Sequence, residues 1–99
     1  MNMQSIMAQA QKMQRDITKK KEEIDATEFV GKSEWVEVIY NGKKELVKFK
    51  IIKEGGIDAD EIEILEDMIS IATKEALNKV NAEIDKKLGS YGQSLNGLF

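Results

Sequence analysis

Residues 3–24, MQSIMAQAQKMQRDITKKKEEI, place apolar side chains at Met3, Ile6, Ala10, Met13, Ile17 and Ile24. The steps alternate between three and four, with Lys20 standing where the next apolar residue is due. That period belongs to one face of an α-helix and to a heptad seam with one polar gap. Gln, Met, Lys, Glu and Ala favour helix, and neither Gly nor Pro interrupts the run. A helix from Met3 to Ala26 is predicted, about 36 Å long at 1.5 Å per residue. Short strands cannot cover that length. Part of the helix therefore projects past the rest of the chain or meets another subunit, and the seam packs on a second helix or on a second copy. Self-association suits a chain of 99 residues, because a domain this small buries a limited share of its surface alone.

After Asp25 the pattern changes to β-branched and aromatic residues separated by polar ones, first in TEFVGKS and then in EWVEVIYNGKKELVKFKII. Two or three strands follow. Asn41-Gly42 is the hairpin signal, since both central positions of a type I′ turn need positive φ. A two-residue loop sets Tyr40 opposite Lys43, and a longer NGKK loop sets it opposite Glu45; both registers fit the residues. Val36, Val38 and Tyr40 share one face of the first hairpin strand. Val47, Phe49 and Ile51 share a face of the second, which turns Lys48 and Lys50 to a wet side.

Gly55-Gly56 ends the strand pattern, and Asp58 with Glu61 three residues later has the geometry of a capping box. A second helix is predicted from near Asp60, with Ile62, Leu65, Ile69, Ala72, Ala76, Val80 and Ile84 at helical spacing. Asp60, Glu61 and Glu63 suit its positive end, Lys86 and Lys87 its negative end, and Gly89 stops it after Leu88. The tail from Gly89 to Phe99 reads as a mobile loop. The order is that of an α+β class chain, a single domain over residues 1–99.

The chain has no Cys and no His. That removes disulfides, thiolate and imidazole metal ligands, and every nucleophilic triad built on imidazole. No constellation supports an enzyme, a cofactor or a small-molecule substrate. With no apolar signal region and no run of about 20 apolar residues, the expectation is a soluble cytoplasmic protein without a membrane segment.

The net charge of −3 hides an asymmetry. Residues 1–53 hold eleven bases against eight acids, net +3, and residues 54–99 hold four against ten, net −6. Lys12, Arg15 and Lys19 recur at helical spacing as a stripe away from the apolar seam, and Lys20 and Lys21 thicken its end. Such a stripe is a solvated face or a sequence-independent phosphate track. Lys48 and Lys50 on the open strand face, with Lys74, Lys79, Lys86 and Lys87 on the second helix, extend it, although those last four have acids at pairing distance. Trp35 and Tyr40 fit core or dimer contact better than base stacking.

The whole order of features resembles the YbaB/EbfC family of nucleoid-associated proteins. The resemblance is carried by MAQAQKMQRDI in the first helix, VEVIYNG, LVKFKI, and above all EILEDMISIATKEALNKVNAEI with the glycine-containing tail. Here GKSEW stands where the family has a glycine-rich run, and IIKEGGID where it has Asp-Pro. The resemblance implies a three-stranded antiparallel sheet between two long helices and an intertwined homodimer with projecting helices. In such a dimer Met3, Ile6, Ala10, Met13, Ile17, Ile24, Val36 and Val38 form the core or dimer seam. It also implies duplex DNA as partner, with modest sequence preference, a place at the nucleoid, and a role in chromosome organisation and gene expression. A prefoldin-like chaperone or adaptor that grips protein clients between its helices, through exposed Met7, Met13 and Leu88, is the other reading of the residues.

Overall fold

The computed structural model describes residues 2–91. Helix α1 (Met3–Ala26) leads into strands β1 (Glu28–Lys32), β2 (Val36–Asn41) and β3 (Leu46–Ile51), and a 3-10 turn (Ala59–Glu61) opens helix α2 (Ile62–Leu88). The sheet is antiparallel in the order β1-β2-β3. The α+β class and both helices match the sequence expectations. Of the tail expected to be a mobile loop from Gly89 to Phe99, residues 89–91 form a 3-10 turn with Tyr91 against the core, and the remainder lies outside the described residues.

Local chemistry explains the boundaries. Asn2 caps α1, its Oδ1 accepting from Ser5 N–H at 2.8 Å, so one orphan donor of the first turn is satisfied. At the other end the Thr27 hydroxyl donates to the Glu23 carbonyl at 2.7 Å, and Thr27 itself is extended. α2 ends at Leu88, as read from the sequence, but Gly89 keeps right-handed angles (φ −58), so glycine's left-handed freedom is not what stops it.

The hairpin corrects the sequence expectation. Tyr40 pairs with Leu46, not with Lys43 or Glu45, and the register shifts between Ile39 and Tyr40. The loop follows the three-residue pattern of a turn closed by a left-handed residue: Lys44 N–H donates to the Asn41 carbonyl at 3.0 Å, and Lys44 has φ 65. Asn41 Oδ1 holds the loop by accepting from Lys43 and Glu45 N–H at 2.9 and 3.0 Å. Neither Asn41 nor Gly42 has positive φ. Glycine is required at 42 for a different reason, because a Cβ there would lie 1.9 Å from the Ile24 carbonyl oxygen. Val47 is thereby left without a cross-strand partner, while Phe49 opposes Val38 and Ile51 opposes Val36.

The core lies between α2 and the sheet, where Val36, Val38, Ala72 and Ala76 are buried with Trp35, Tyr40, Leu65, Met68 and Ile69 packed around them. Close approach is set by small residues: a Cβ on Gly31 would fall 1.9 Å from the Ala72 carbonyl oxygen. A second cluster joins Ile17 and Ile24 of α1 to Leu88, with Ile84 and Tyr91 against it. These contacts engage only the carboxy-terminal half of α1. The molecule is consequently long, 70 × 19 × 17 Å with a radius of gyration of 19.1 Å, where a compact chain of this length would have about 13 Å.

Candidate nucleic-acid interface

Every residue of α1 from Met3 to Asp16 is exposed. Of the expected seam, Ile17, Ile24, Val36 and Val38 are buried within the chain, while Met3 (73% exposed), Ile6, Ala10 and Met13 are not. The projecting part is therefore a bare amphipathic helix. Where α1 meets α2, polar contacts accompany the apolar ones: Lys87 lies 3.6 Å from Glu23, and Lys20 Nζ reaches the Tyr91 hydroxyl at 3.4 Å, above its ring at 5.2 Å from the centroid. Lys20 thus fills the polar gap of the heptad with a contact to the end of α2. Lys21 pairs with Asp25 at 2.9 Å, one turn along.

The expected basic residues separate into two groups. Lys12, Arg15 and Lys19 are exposed and have no ion-pair partner among the described residues. The same holds for Lys48 and Lys50, which oppose Ile39 and Glu37 on the sheet face turned away from α2, and for Lys86. Lys79 and Lys87 are engaged in the fold. Lys79 lies 3.3 Å from Glu75 and donates to the Val30 carbonyl at 2.7 Å. Val30 belongs to the edge strand β1, so this ammonium covers part of an otherwise open sheet edge.

Two basic residues outside the expected set also reach solvent. Lys43 and Lys44 form the exposed hairpin tip. The sequence held a signal for them, two adjacent lysines following the turn residues Asn41-Gly42, but their direction depends on a loop geometry that composition does not specify.

The acidic half of the charge pattern starts α2. From Glu54 to Asp67 there are seven acids and no base. The carboxylates of Asp58, Asp60 and Glu61 lie within 4.8 Å of one another. Glu61 is already committed: it accepts from the Asp58 backbone N–H at 3.0 Å and lies 3.5 Å from Lys53. The Asp58 N–H foremost, and then Lys53, hold its pKa below the ordinary 4.5 against a partial desolvation that raises it. This grouping satisfies a helix start. Lys53 also sits over Trp35, 5.2 Å from the ring centroid, and Trp35 packs on the core as the sequence reading favoured.

Elsewhere the described surface carries shallow depressions. Two flank Lys79 along α2, one bordered by Ile71 and Asn78 and the other by Phe29 and Glu83. No helix among the described residues is long and apolar enough to cross a membrane.

A family model described as the YbaB/EbfC DNA-binding family matches residues 1–95. A nucleoid-associated protein of Streptococcus suis is 40% identical over 97 residues, covering 96% of this chain and 97% of its own. One of Ligilactobacillus salivarius is 34% identical over 100 residues, covering 99% and 95%. One of Enterococcus faecalis is 34% identical over 99 residues, covering 98% and 94%. The family's description names DNA binding, and these relatives are named for association with the nucleoid.

Proposed function

Because the chain belongs to the YbaB/EbfC DNA-binding family, we propose that it binds duplex DNA as a homodimer, with little dependence on sequence, and helps organise the chromosome and its expression at the nucleoid. The observation that carries this reading is the stripe of Lys12, Arg15 and Lys19, exposed along the outer face of α1 and, among the described residues, without an ion-pair partner. The fold itself does not need such a stripe. A polyanion uses one, because each phosphate neutralised releases counterions.

The homodimer is supported by β3. Leu46, Val47, Phe49 and Ile51 are between 42 and 53% exposed on the edge strand farther from the Lys79 side of α2. Exposed apolar surface of this kind on a small chain marks an interaction face. A two-fold related copy would cover it and present a second basic stripe, so that two weak patches act together. Lys48, Lys50 and Lys86 are further phosphate contacts in this reading; Lys20, Lys79 and Lys87 contribute less, because each is already held by the fold.

The test is charge reversal at Lys12→Glu, Arg15→Glu and Lys19→Glu together, followed by fluorescence anisotropy on an arbitrary duplex. Affinity is expected to fall at least a hundredfold, with a smaller loss for Lys79→Ala with Lys87→Ala. Unchanged affinity in the triple variant sinks the proposal. The exposed Met7 and Met13 favour a second reading, a helix pair that grips protein clients, since thioether side chains adapt to varied apolar partners; Leu88, expected to be exposed beside them, is instead buried against Ile17 and Ile24. Client binding that survives high salt and is lost on removing those methionines would support it instead.

A further inference from the structure

The projecting half of α1 carries more than charge. Gln4, Ala8, Gln11 and Arg15 recur at steps of four, three and four, so at about 100° per residue they line one stripe opposite Ile6, Ala10, Met13 and Ile17. Lys12 and Lys19 border that stripe about 60° round the helix. All six are exposed, and among the described residues the five polar side chains make no hydrogen bond or ion pair. Every residue from Met3 to Asp16 is exposed, and Lys19 follows on the outer face of the packed half. A bare helix about 10–12 Å across fits a major groove about 12 Å wide.

In that groove the central side chains of a helix meet base edges and those at its borders meet phosphates. Gln pairs in bidentate fashion with adenine N6 and N7, Arg with guanine O6 and N7, and an alanine methyl fits against the thymine methyl. We infer that α1 reads base edges, Gln4 and Gln11 selecting adenine and Arg15 guanine, while Lys12 and Lys19 grip the phosphates. This rests on α1 being the duplex-contacting helix, and it replaces the phosphate role of Arg15 and the near-indifference to sequence in that reading with a preference for one class of site. Gln4 and Gln11 are about 10.5 Å apart along the axis, and Gln11 and Arg15 about 6 Å. At 3.4 Å per base pair the preferred site holds two adenines about three base pairs apart and a guanine about two further on.

The test is selection of the full chain against a pool of random duplexes, with sequencing of the retained fraction. The measured quantity is the affinity ratio between the selected duplex and an unselected one. Enrichment of the adenine pair and the guanine is expected. The variant combining Gln4→Ala and Gln11→Ala should lower the ratio about tenfold or more. Lys12→Ala with Lys19→Ala should weaken both duplexes alike and preserve the ratio. Circular dichroism verifies that these surface variants remain folded. Retention without enrichment, or a ratio unmoved in the glutamine variant, overturns base reading alone. Failure to retain any duplex at low salt overturns the DNA-binding reading itself.

Discussion

Gly42 lies where an added methyl would meet the Ile24 carbonyl oxygen, so the hairpin tip and the end of α1 approach as closely as backbone permits. Gly42→Ala forces them apart, and overpacking of this kind costs about 1–3 kcal/mol, measurable by urea denaturation. Gly55, with positive φ but open space around it, tests a different cause, backbone strain without collision. Glu61 supplies a pH prediction at the same scale. Its carboxyl is held below 4.5 in the folded chain by the Asp58 N–H and then by Lys53. The folded state therefore releases that proton more readily than the unfolded one. The resulting stability is present above about pH 4.5 and is lost as pH falls through the lowered value. Glu61→Gln, which retains an acceptor for the Asp58 N–H, should flatten the fall in stability measured by denaturation in that acidic range; an unaltered profile would contradict this assignment.

The two helices show what packing does with a uniform sequence signal. The seam of α1 is read from one period, yet Ile24 is fully buried and Met13 is 48% exposed. Ile24→Ala should cost about 3 kcal/mol in thermal or urea unfolding, and Met13→Ala about 0.5 kcal/mol or less. Both helices were legible because periodicity and propensity agree over more than twenty residues, and the Asp58/Glu61 start was legible from spacing. The hairpin register was not. It depends on Lys44 accepting a left-handed conformation and on Gly42 touching α1, and neither term is local to the turn. The basic residues divide in the same way. The stripe of Lys12, Arg15 and Lys19 follows from helical phase, whereas the contact of Lys79 with Val30 joins residues 49 positions apart and needs the fold. The face of β3 was legible as apolar alternation, but the loss of pairing at Val47 required the shifted register.

At the scale of the molecule, length and charge act together. A 70 Å particle carries a basic stripe on its projecting helix, unpaired among the described residues, and seven acids with no base between Glu54 and Asp67, where α2 begins. Net charge therefore misstates what a polyanion meets, because salt screens charges farther apart than about 10 Å at 0.1 M. In the proposed complex the distant acids repel DNA weakly while the stripe attracts it at contact. A dimer joined through β3 would present two such stripes, Lys12 and Lys19 of each gripping phosphates beside a further contact from Lys48, Lys50 or Lys86. Duplex affinity measured across a series of salt concentrations tests that account most directly. With about six phosphates neutralised per dimer, log K against log salt should fall with a slope near −5, on unrelated sequences alike. A slope near zero, with binding that persists at high salt, would contradict it.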